Sequence, residues 1–434
     1  MLAVTSVPSG TSCPKCGLSL LSPRDAAPWC GNCEYGLDVL EGRGDFGWRW
    51  LDRIAYRRAF RAATAEFRRR STGPDRGPGW HPRTILLVAV SILLYAAVLA
   101  CLIVGVWLCT LSFPGFALVP GIALILVAVE LRPRFGRIPR YATVLSQQEA
   151  PHLHALVAQV ADAVEAPAPS TICVDEDLNA SAGTYGLARR TLLVIGLPLW
   201  HALSPQQRVA LLGHEMGHFV NGDPRRGLLI QPAYEMLARV ADLLRPGSSN
   251  VIEGASASGN RVTEAAGLLT LLANLVTNAV LAVLRMIITV MRVALEVLAL
   301  RDGQAAEYRA DGLAAKEAGS TAATQLMDLF VMDETVRTLV WRDARTGVPP
   351  TRWRDAVADA LAGARTRMPL RRQLSVRRDV SLFASHPPAG LRARLVEQLP
   401  GVSAAVALGE EASSRIDDEL AKHSTRAART LRSG

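Results

Sequence analysis

Length, composition and charge set the first limits on this chain. It has 434 residues, of which 50% are hydrophobic, and a formal net charge of +9. This length excludes a single small core, so we expect at least two structural units. The mean hydropathy of +0.19 is high for a soluble protein, and membrane-spanning segments are its simplest cause.

Four cysteines near the start of the sequence have the spacing of a metal site. Cys13 and Cys16 form one C-x2-C pair, and Cys30 and Cys33 form another after thirteen intervening residues. Each pair of thiolates can bind one face of a tetrahedral zinc ion. We predict a zinc ribbon in residues 1–45, with a structural metal because four sulfur ligands leave no open position. Two disulfides are the alternative, and they would need an oxidising compartment.

A charge-free stretch follows a basic segment. No charged residue occurs from Thr84 to Val129, which is long enough for two membrane helices and a tight turn. Arginines occur on both flanks, in the linker 46–83 and after Glu130. We predict a transmembrane helical hairpin at 84–130, with both flanks in the cytoplasm by the positive-inside rule. A buried hairpin of a soluble domain is the alternative. The basic flanks favour lipid headgroups over nucleic acid as partner.

The sequence HEMGH, from His214 to His218, lies in a segment with strong helix signals. Ser204 and Gln207 form a capping box before it, and Gly222 follows as a C-cap. Histidines four residues apart project from one face of a helix, as one zinc ion requires. Two ordinary helix histidines are the alternative.

The same motif supplies a catalytic base, and a third metal ligand is expected downstream. Zinc lowers the pKa of a bound water from about 15.7 to about 7. Glu215 is placed to take that proton and to deliver it to the leaving amine. Two histidines leave a catalytic zinc one ligand short. Glu307 is the best candidate, and Asp311, four residues later, would accept the second ring N–H of a ligand histidine.

The segment between these motifs contains a further apolar helix. Residues 228–245 predict an amphipathic helix, 247–259 a polar loop, and 264–300 a long apolar helix. A single membrane crossing there would place HEMGH and Glu307 on opposite sides of the bilayer, although they share one metal. We therefore expect this helix to pack beside the hairpin, or to belong to an even number of crossings. Residues 401–434 predict a polar C-terminal segment, and its last 25 residues predict a polar helix or a tail.

The motifs together resemble a known family. HEMGHFVNGD, EYRAD and SHPPAGLR (385–392) are similar, in this order, to three motifs of the HtpX-like and CAAX-prenyl-endopeptidase family of integral-membrane zinc metalloproteases. Residues 178–186 resemble the Asn-Ala segment that borders the cleft in that family. The resemblance implies a mainly helical fold with a small β-sheet, an α+β zincin domain at 131–400, with Glu307 as third ligand.

The resemblance also implies roles for four further residues. His386 and Arg392 match positions near the active site, where they would stabilise the oxyanion or orient Glu307. A loop cap before a proline turn is the alternative for His386. Asn179 and Ala180 would border the cleft and pair with an extended substrate. The ribbon is absent from the family pattern, so no function is implied for it.

These observations predict a membrane-anchored zinc metalloendopeptidase with one catalytic and one structural zinc ion. We expect a multi-pass protein of the plasma membrane, with the ribbon and the catalytic domain on the cytoplasmic side. The resemblance implies membrane or misfolded proteins as substrates, in quality control. A nonproteolytic scaffold that binds a partner through the ribbon is the alternative. For a ribbon that binds nucleic acid, the sequence offers only Lys15, Arg24 and Trp29.

Overall fold

The computed structural model describes residues 7–22, 27–42, 44, 46–73, 82–111, 115–133, 136–186, 188–243 and 264–433. Residues 112–114, where the predicted turn begins, and the predicted polar loop at 247–259 lie outside these residues. The chain divides into two compact units. Residues 1–79, 136–225 and 300–434 form the main unit, and residues 80–135 and 226–299 form the apolar unit.

The first described elements belong to the main unit. Strands β1 (Val7–Ser12) and β2 (Ser19–Ser22) pair antiparallel, and helix α1 (Arg49–Thr72) follows them. Helix α1 has one buried face, because small and aromatic residues recur every three or four positions. These residues are Tyr56, Ala59, Ala63 and Phe67.

Two apolar helices begin the apolar unit. They are α2 (Pro82–Leu111) and α3 (Leu118–Glu130), close to the bounds that the charge-free stretch predicts. They approach closely at Gly105 and Gly121, where a Cβ on Gly105 would lie 2.9 Å from the Gly121 carbonyl oxygen. Among the described helices, α2 alone is long and apolar enough to cross a membrane, and α3 has 13 residues. The transmembrane hairpin therefore stays a prediction.

A four-stranded mixed sheet lies in the main unit. Its strands are β3 (Thr143–Leu145), β4 (Thr171–Asp175), β5 (Ala180–Tyr185) and β6 (Arg190–Gly196). Their spatial order is β3-β4-β6-β5; β4 and β6 are parallel, and the other pairs are antiparallel. The central strand β6 is apolar along 192–195, and all four of these residues are buried, as expected for a strand covered on both faces.

Helices make up most of the remaining structure. In chain order they are α4 (Pro151–Ala163), α5 (Leu197–Ala202), α6 (Pro205–Asn221), α7 (Asp223–Leu243), α8 (Glu264–Ala318), α9 (Ser320–Val331), α10 (Asp333–Thr346), α11 (Trp353–Ala364), α12 (Met368–Asp379), α13 (Ala389–Gln398) and α14 (Glu410–Ser433). The prediction of a mainly helical fold with a small sheet is confirmed.

One predicted boundary differs from the structure. Helix α8 does not end near residue 300 but continues to Ala318, because the alanine-rich segment after 300 has high helix propensity. Of the two alternatives for the polar segment, residues 410–433 form the helix, and this helix packs into the main core. Its sequence is polar on average, yet Ile416 and Leu420 lie on one buried face. Asp417 on this helix pairs with the buried Arg208 of α6 at 2.9 Å.

Candidate active site

Helix α6 carries both histidines and has the predicted ends. The backbone N–H of Ser204 donates to Gln207 Oε1 at 2.9 Å, which forms one half of the capping box. Gly222 ends the helix with φ = 71°, a left-handed conformation that favours glycine. The two imidazoles lie on one face, with Nε2 atoms of His214 and His218 only 3.3 Å apart.

Helix α8 brings Glu307 to these histidines. Glu307 Oε2 lies 3.5 Å from His214 Nε2, and Glu307 Oε1 lies 3.4 Å from His218 Nε2. Ligand atoms at about 2.0–2.1 Å from a tetrahedral zinc ion are themselves separated by about 3.3 Å. The three observed separations match this value. The donor set of two imidazoles and one carboxylate therefore fits a catalytic zinc, with room for a fourth ligand.

A buried ion pair orients the first histidine. Asp311 Oδ1 lies 3.0 Å from His214 Nδ1, so Nε2 is left to face the metal. Arg392 donates two hydrogen bonds to the Asp311 carboxylate, at 2.6 and 2.8 Å. Arg392 is 5% exposed. Its guanidinium group is therefore buried beside the site, where the two hydrogen bonds hold Asp311 in place. The position supports orientation of Asp311 rather than contact with an oxyanion.

The two buried carboxylates of the site, those of Glu307 and Asp311, are stabilised in the ionised form. Burial opposes ionisation of Glu307, but Arg392 and then His214 and His386 outweigh it and hold the pKa of Glu307 well below its ordinary value. Burial likewise opposes ionisation of Asp311, and Arg392 lowers the pKa of Asp311. Burial disfavours the charged imidazole of His214, yet Asp311 and Glu307 together raise the pKa of His214 to about 10. Ionised carboxylates beside two imidazoles are the kind of donor set that a divalent cation binds.

Comparison with known proteins agrees with this geometry. The model of peptidase family M48 matches residues 147–399, more than half of the chain. The chain belongs to peptidase family M48. It is also 29% identical over 146 residues to a protease HtpX homolog of Moorella thermoacetica, and the match covers 32% of this chain and 44% of that relative. The chain thus spans less than half the length of this curated relative. No solved structure matches it significantly.

Two more predicted residues of this M48 peptidase lie at the same site. Glu215 follows the first ligand on α6 and is 5% exposed. His386 precedes α13, and its Nδ1 lies 2.8 Å from Glu307 Oε2, while 56% of its side chain is exposed. The structure thus brings together the side chains of His214, His218, Glu307, Asp311, His386 and Arg392, and Glu215 adjoins His214 in the chain.

Asn179 and Ala180 lie at the edge of the sheet. Ala180 begins β5, which in the described structure pairs with β6 and with no other strand. The Asn179 carbonyl oxygen accepts a hydrogen bond from the Gly196 N–H at 2.8 Å, which holds the start of this strand. Strand β5 also packs against α6. An edge strand beside the histidine helix offers backbone donors and acceptors to an extended peptide.

The four cysteines of the ribbon form a second cluster. Cys13 Sγ lies 3.5 Å from Cys33 Sγ, and Cys16 Sγ lies 3.4 Å from Cys30 Sγ. Sulfur atoms at about 2.3 Å from a tetrahedral zinc ion are about 3.8 Å apart, so the four thiols fit one ion. The family is metal dependent, and both clusters are suited to a metal.

Two glycines and a hydrogen bond that join α6 to α8 were not predicted from the sequence. A Cβ on Gly217 would lie 2.9 Å from Ala310 Cα, and one on Gly213 would lie 3.2 Å from Ala314 Cα. The signal was present, because Gly213 and Gly217 are four residues apart, as are Ala310 and Ala314. At the end of α6, Asn221 Nδ2 donates to the Ala306 carbonyl oxygen at 3.2 Å. These contacts set the distance and register between the histidines and Glu307.

We expect Gly217→Ala to weaken metal binding at the histidine cluster by on the order of 10–100-fold. The added methyl group would overlap the backbone of Ala310, so α8 must move away and carry Glu307 with it. Chelator competition on the purified protein measures the affinity. Gly312→Ala is the matched control, because a Cβ on Gly312 of α8 meets open space, and it should leave the affinity unchanged. Equal affinities in the two variants would contradict this role of Gly217.

Proposed function

We propose that the chain is a membrane-anchored zinc endopeptidase that hydrolyses peptide bonds of membrane or misfolded proteins. The observation that supports it best is the convergence of His214, His218 and Glu307 at separations suited to one zinc ion. A metalloprotease is already implied by the family. Zinc as the metal, internal cleavage and a quality-control role are the finer parts of the proposal.

Each residue of the site has a separate role in the proposed hydrolysis. A zinc ion bound by the three ligands would supply Lewis acidity and an activated water. Glu215 takes the proton from the attacking water and returns it to the leaving amine nitrogen. Asp311 and Arg392 keep His214 in the tautomer and orientation of a ligand. The exposed side of His386 is placed to donate a hydrogen bond to oxygen charge that develops on the substrate carbonyl.

Substrate recognition would be largely independent of sequence. Strand β5 lies at the edge of the described sheet, and a substrate in extended form can add beside its first residues, from Ala180, as a further strand. Backbone hydrogen bonds do not depend on side-chain identity. Unfolded segments of many proteins would therefore be suitable substrates, which is what a quality-control protease needs.

The proposed location is the plasma membrane, with the metal sites on its cytoplasmic side. Helix α2 is suited by length and composition to span a bilayer. Exposed arginines of α1 such as Arg57 and Arg61 precede it, and the positive-inside rule then places the main unit in the cytoplasm. A reducing compartment also suits the four ribbon thiols. We further propose α2 and α3 as a membrane hairpin in a multi-pass protein.

Chelation of the purified protein tests this function. We expect the detergent-solubilised protein to cleave an unfolded polypeptide, to lose this activity with 1,10-phenanthroline, and to regain it with added zinc. Mass spectrometry of the products should show internal cleavage. Cleavage that resists the chelator would contradict the proposal. A protein that holds its metal ions but cleaves nothing would favour the alternative of a nonproteolytic membrane scaffold.

A further inference from the structure

One face of α12 packs against the second cysteine pair of the ribbon. The residues of this face follow the i, i+3, i+4, i+7 pattern of one helix side: Leu370, Gln373, Leu374 and Arg377. Gln373 accepts a hydrogen bond from Trp29 Nε1 at 2.9 Å and donates one to the Gly31 carbonyl oxygen at 2.7 Å, within the turn between the two cysteines. Leu374 packs against Trp29 and Leu37. Trp29 is 0% exposed, so this ring is not available for stacking on a base.

The guanidinium of Arg377 is enclosed by the ribbon. Its side chain is 0% exposed, and it pairs with Glu41 at 2.6 Å. It donates hydrogen bonds to three carbonyl oxygens of the ribbon, those of Ala27, Gly36 and Leu37. A buried guanidinium requires partners for its fixed set of donors. The carbonyls accept these bonds only while the chain around the second cysteine pair keeps this conformation, which a zinc ion on the four thiols would hold.

The opposite face of α12 supports the active site. The N–H of Gly390, at the start of α13, donates to Ser375 Oγ at 2.8 Å. Val376 packs with Tyr308 and Leu391 in one buried cluster. Tyr308 follows the metal ligand Glu307 in sequence, and Leu391 precedes the arginine that holds Asp311. Helix α12 therefore lies between the ribbon and the residues that place the catalytic ligands.

We propose that the metal-loaded ribbon fixes α12, and through it the catalytic ligands, with Arg377 as the positioning residue. The ribbon is then a part of the protease whose metal occupancy sets the affinity of the second metal site. This inference rests on the proposed function, because it requires a metal at His214, His218 and Glu307. Loss of the ribbon metal would free the carbonyls around Arg377, so α12 and the segment 380–392 would lose their fixed position.

Two variants disturb this connection at different points. Arg377→Met removes the guanidinium and keeps the length of the side chain, whereas Cys16→Ser removes one thiol of the ribbon site, and Cys16 is exposed. Arg377→Lys is a milder variant, for use if the methionine variant does not fold. It keeps the positive charge but loses the planar set of guanidinium donors. Arg378→Met is the matched control, because Arg378 is the exposed neighbour on the same helix.

Chelator competition on the full-length protein in detergent measures the affinity of the histidine site for zinc. We expect Arg377→Met and Cys16→Ser to weaken it by on the order of 10–100-fold, and Arg378→Met to leave it unchanged. Amide hydrogen exchange in residues 380–392 should become about tenfold faster in the first two variants. With the metal restored by excess zinc, kcat should fall and KM should change little.

A purely structural role of the ribbon is distinguished by a second control. Val340→Ala destabilises the core at a buried position on α10, which does not belong to the α12 contacts. If Arg377→Met lowers thermal stability like Val340→Ala but leaves zinc affinity and exchange in 380–392 unchanged, the proposal is wrong. A wild-type protein that binds one zinc ion, at the ribbon alone, would instead show failure of the proposed catalytic site.

Discussion

Glu215→Gln should reduce kcat by about a thousandfold or more while the protein keeps its full metal content. The amide cannot accept a proton from water, and loss of a general base typically costs about 10²–10⁴-fold. The carboxylate is not among the three ligand atoms that converge on the metal position, so the affinity for zinc should change little. Initial rates on an unfolded polypeptide, with zinc counted in the same samples, measure both quantities.

Glu317→Gln is the matched control for this experiment. Glu317 is also a buried glutamate, 4% exposed, and lies on α8 near Gly213. Burial raises the pKa of Glu317, so a neutral amide resembles the form that its site favours. We expect this variant to keep near wild-type activity. If Glu215→Gln retained more than a tenth of wild-type kcat, Glu215 would not be the base.

Glu307→Ala should lose the catalytic zinc and all proteolysis, while the ribbon keeps its metal. Two histidines alone leave the metal one ligand short, and removal of Glu307 also leaves the buried Arg392 without one of its two carboxylates. The zinc content should fall from two ions per chain to one. Metal analysis after dialysis against a weak chelator provides the count, and a count that stays at two would show that the ligand set is wrong.

Cys16→Ser is the complementary variant, because it removes a ligand from the ribbon site instead of the histidine site. Cys16→Ser acts on the other cluster, so its first effect should be loss of the ribbon metal rather than of the zinc at the histidines. The two variants should therefore each contain about one ion per chain under mild dialysis. Only Cys16→Ser should regain cleavage with excess zinc, at a reduced kcat, because Glu307→Ala lacks a ligand at the reacting centre.

Local signals were enough to predict the histidine helix. Its start at Ser204, its end at Gly222 and the common face of His214 and His218 all follow from rules that act within a few residues. The metal site of the four cysteines was predictable in the same way, because each C-x2-C pair lies within one local turn. Glu307 was the best candidate because two histidines leave a catalytic zinc one ligand short, and the resemblance of EYRAD to a family motif implied the same residue.

Contacts between distant segments were not predictable from the same signals. The hydrogen bonds from Arg392 to Asp311 join residues 81 positions apart. The hydrogen bonds from Arg377 to the carbonyl oxygens of the ribbon join residues more than 300 positions apart. Such contacts depend on how whole helices pack, which composition and periodicity do not specify. Helix α14 shows the same limit, because its polar average hides a narrow apolar face around Leu420.

Anomalous X-ray diffraction from crystals of the zinc-loaded protein is the most direct test of the central claim. Difference maps from data on either side of the zinc absorption edge should show one peak about 2.0–2.1 Å from His214 Nε2, His218 Nε2 and a Glu307 carboxylate oxygen. A second peak should lie among the four ribbon sulfur atoms. A protein that cleaves its substrate but shows no peak between His214, His218 and Glu307 would contradict the assignment of this site as catalytic.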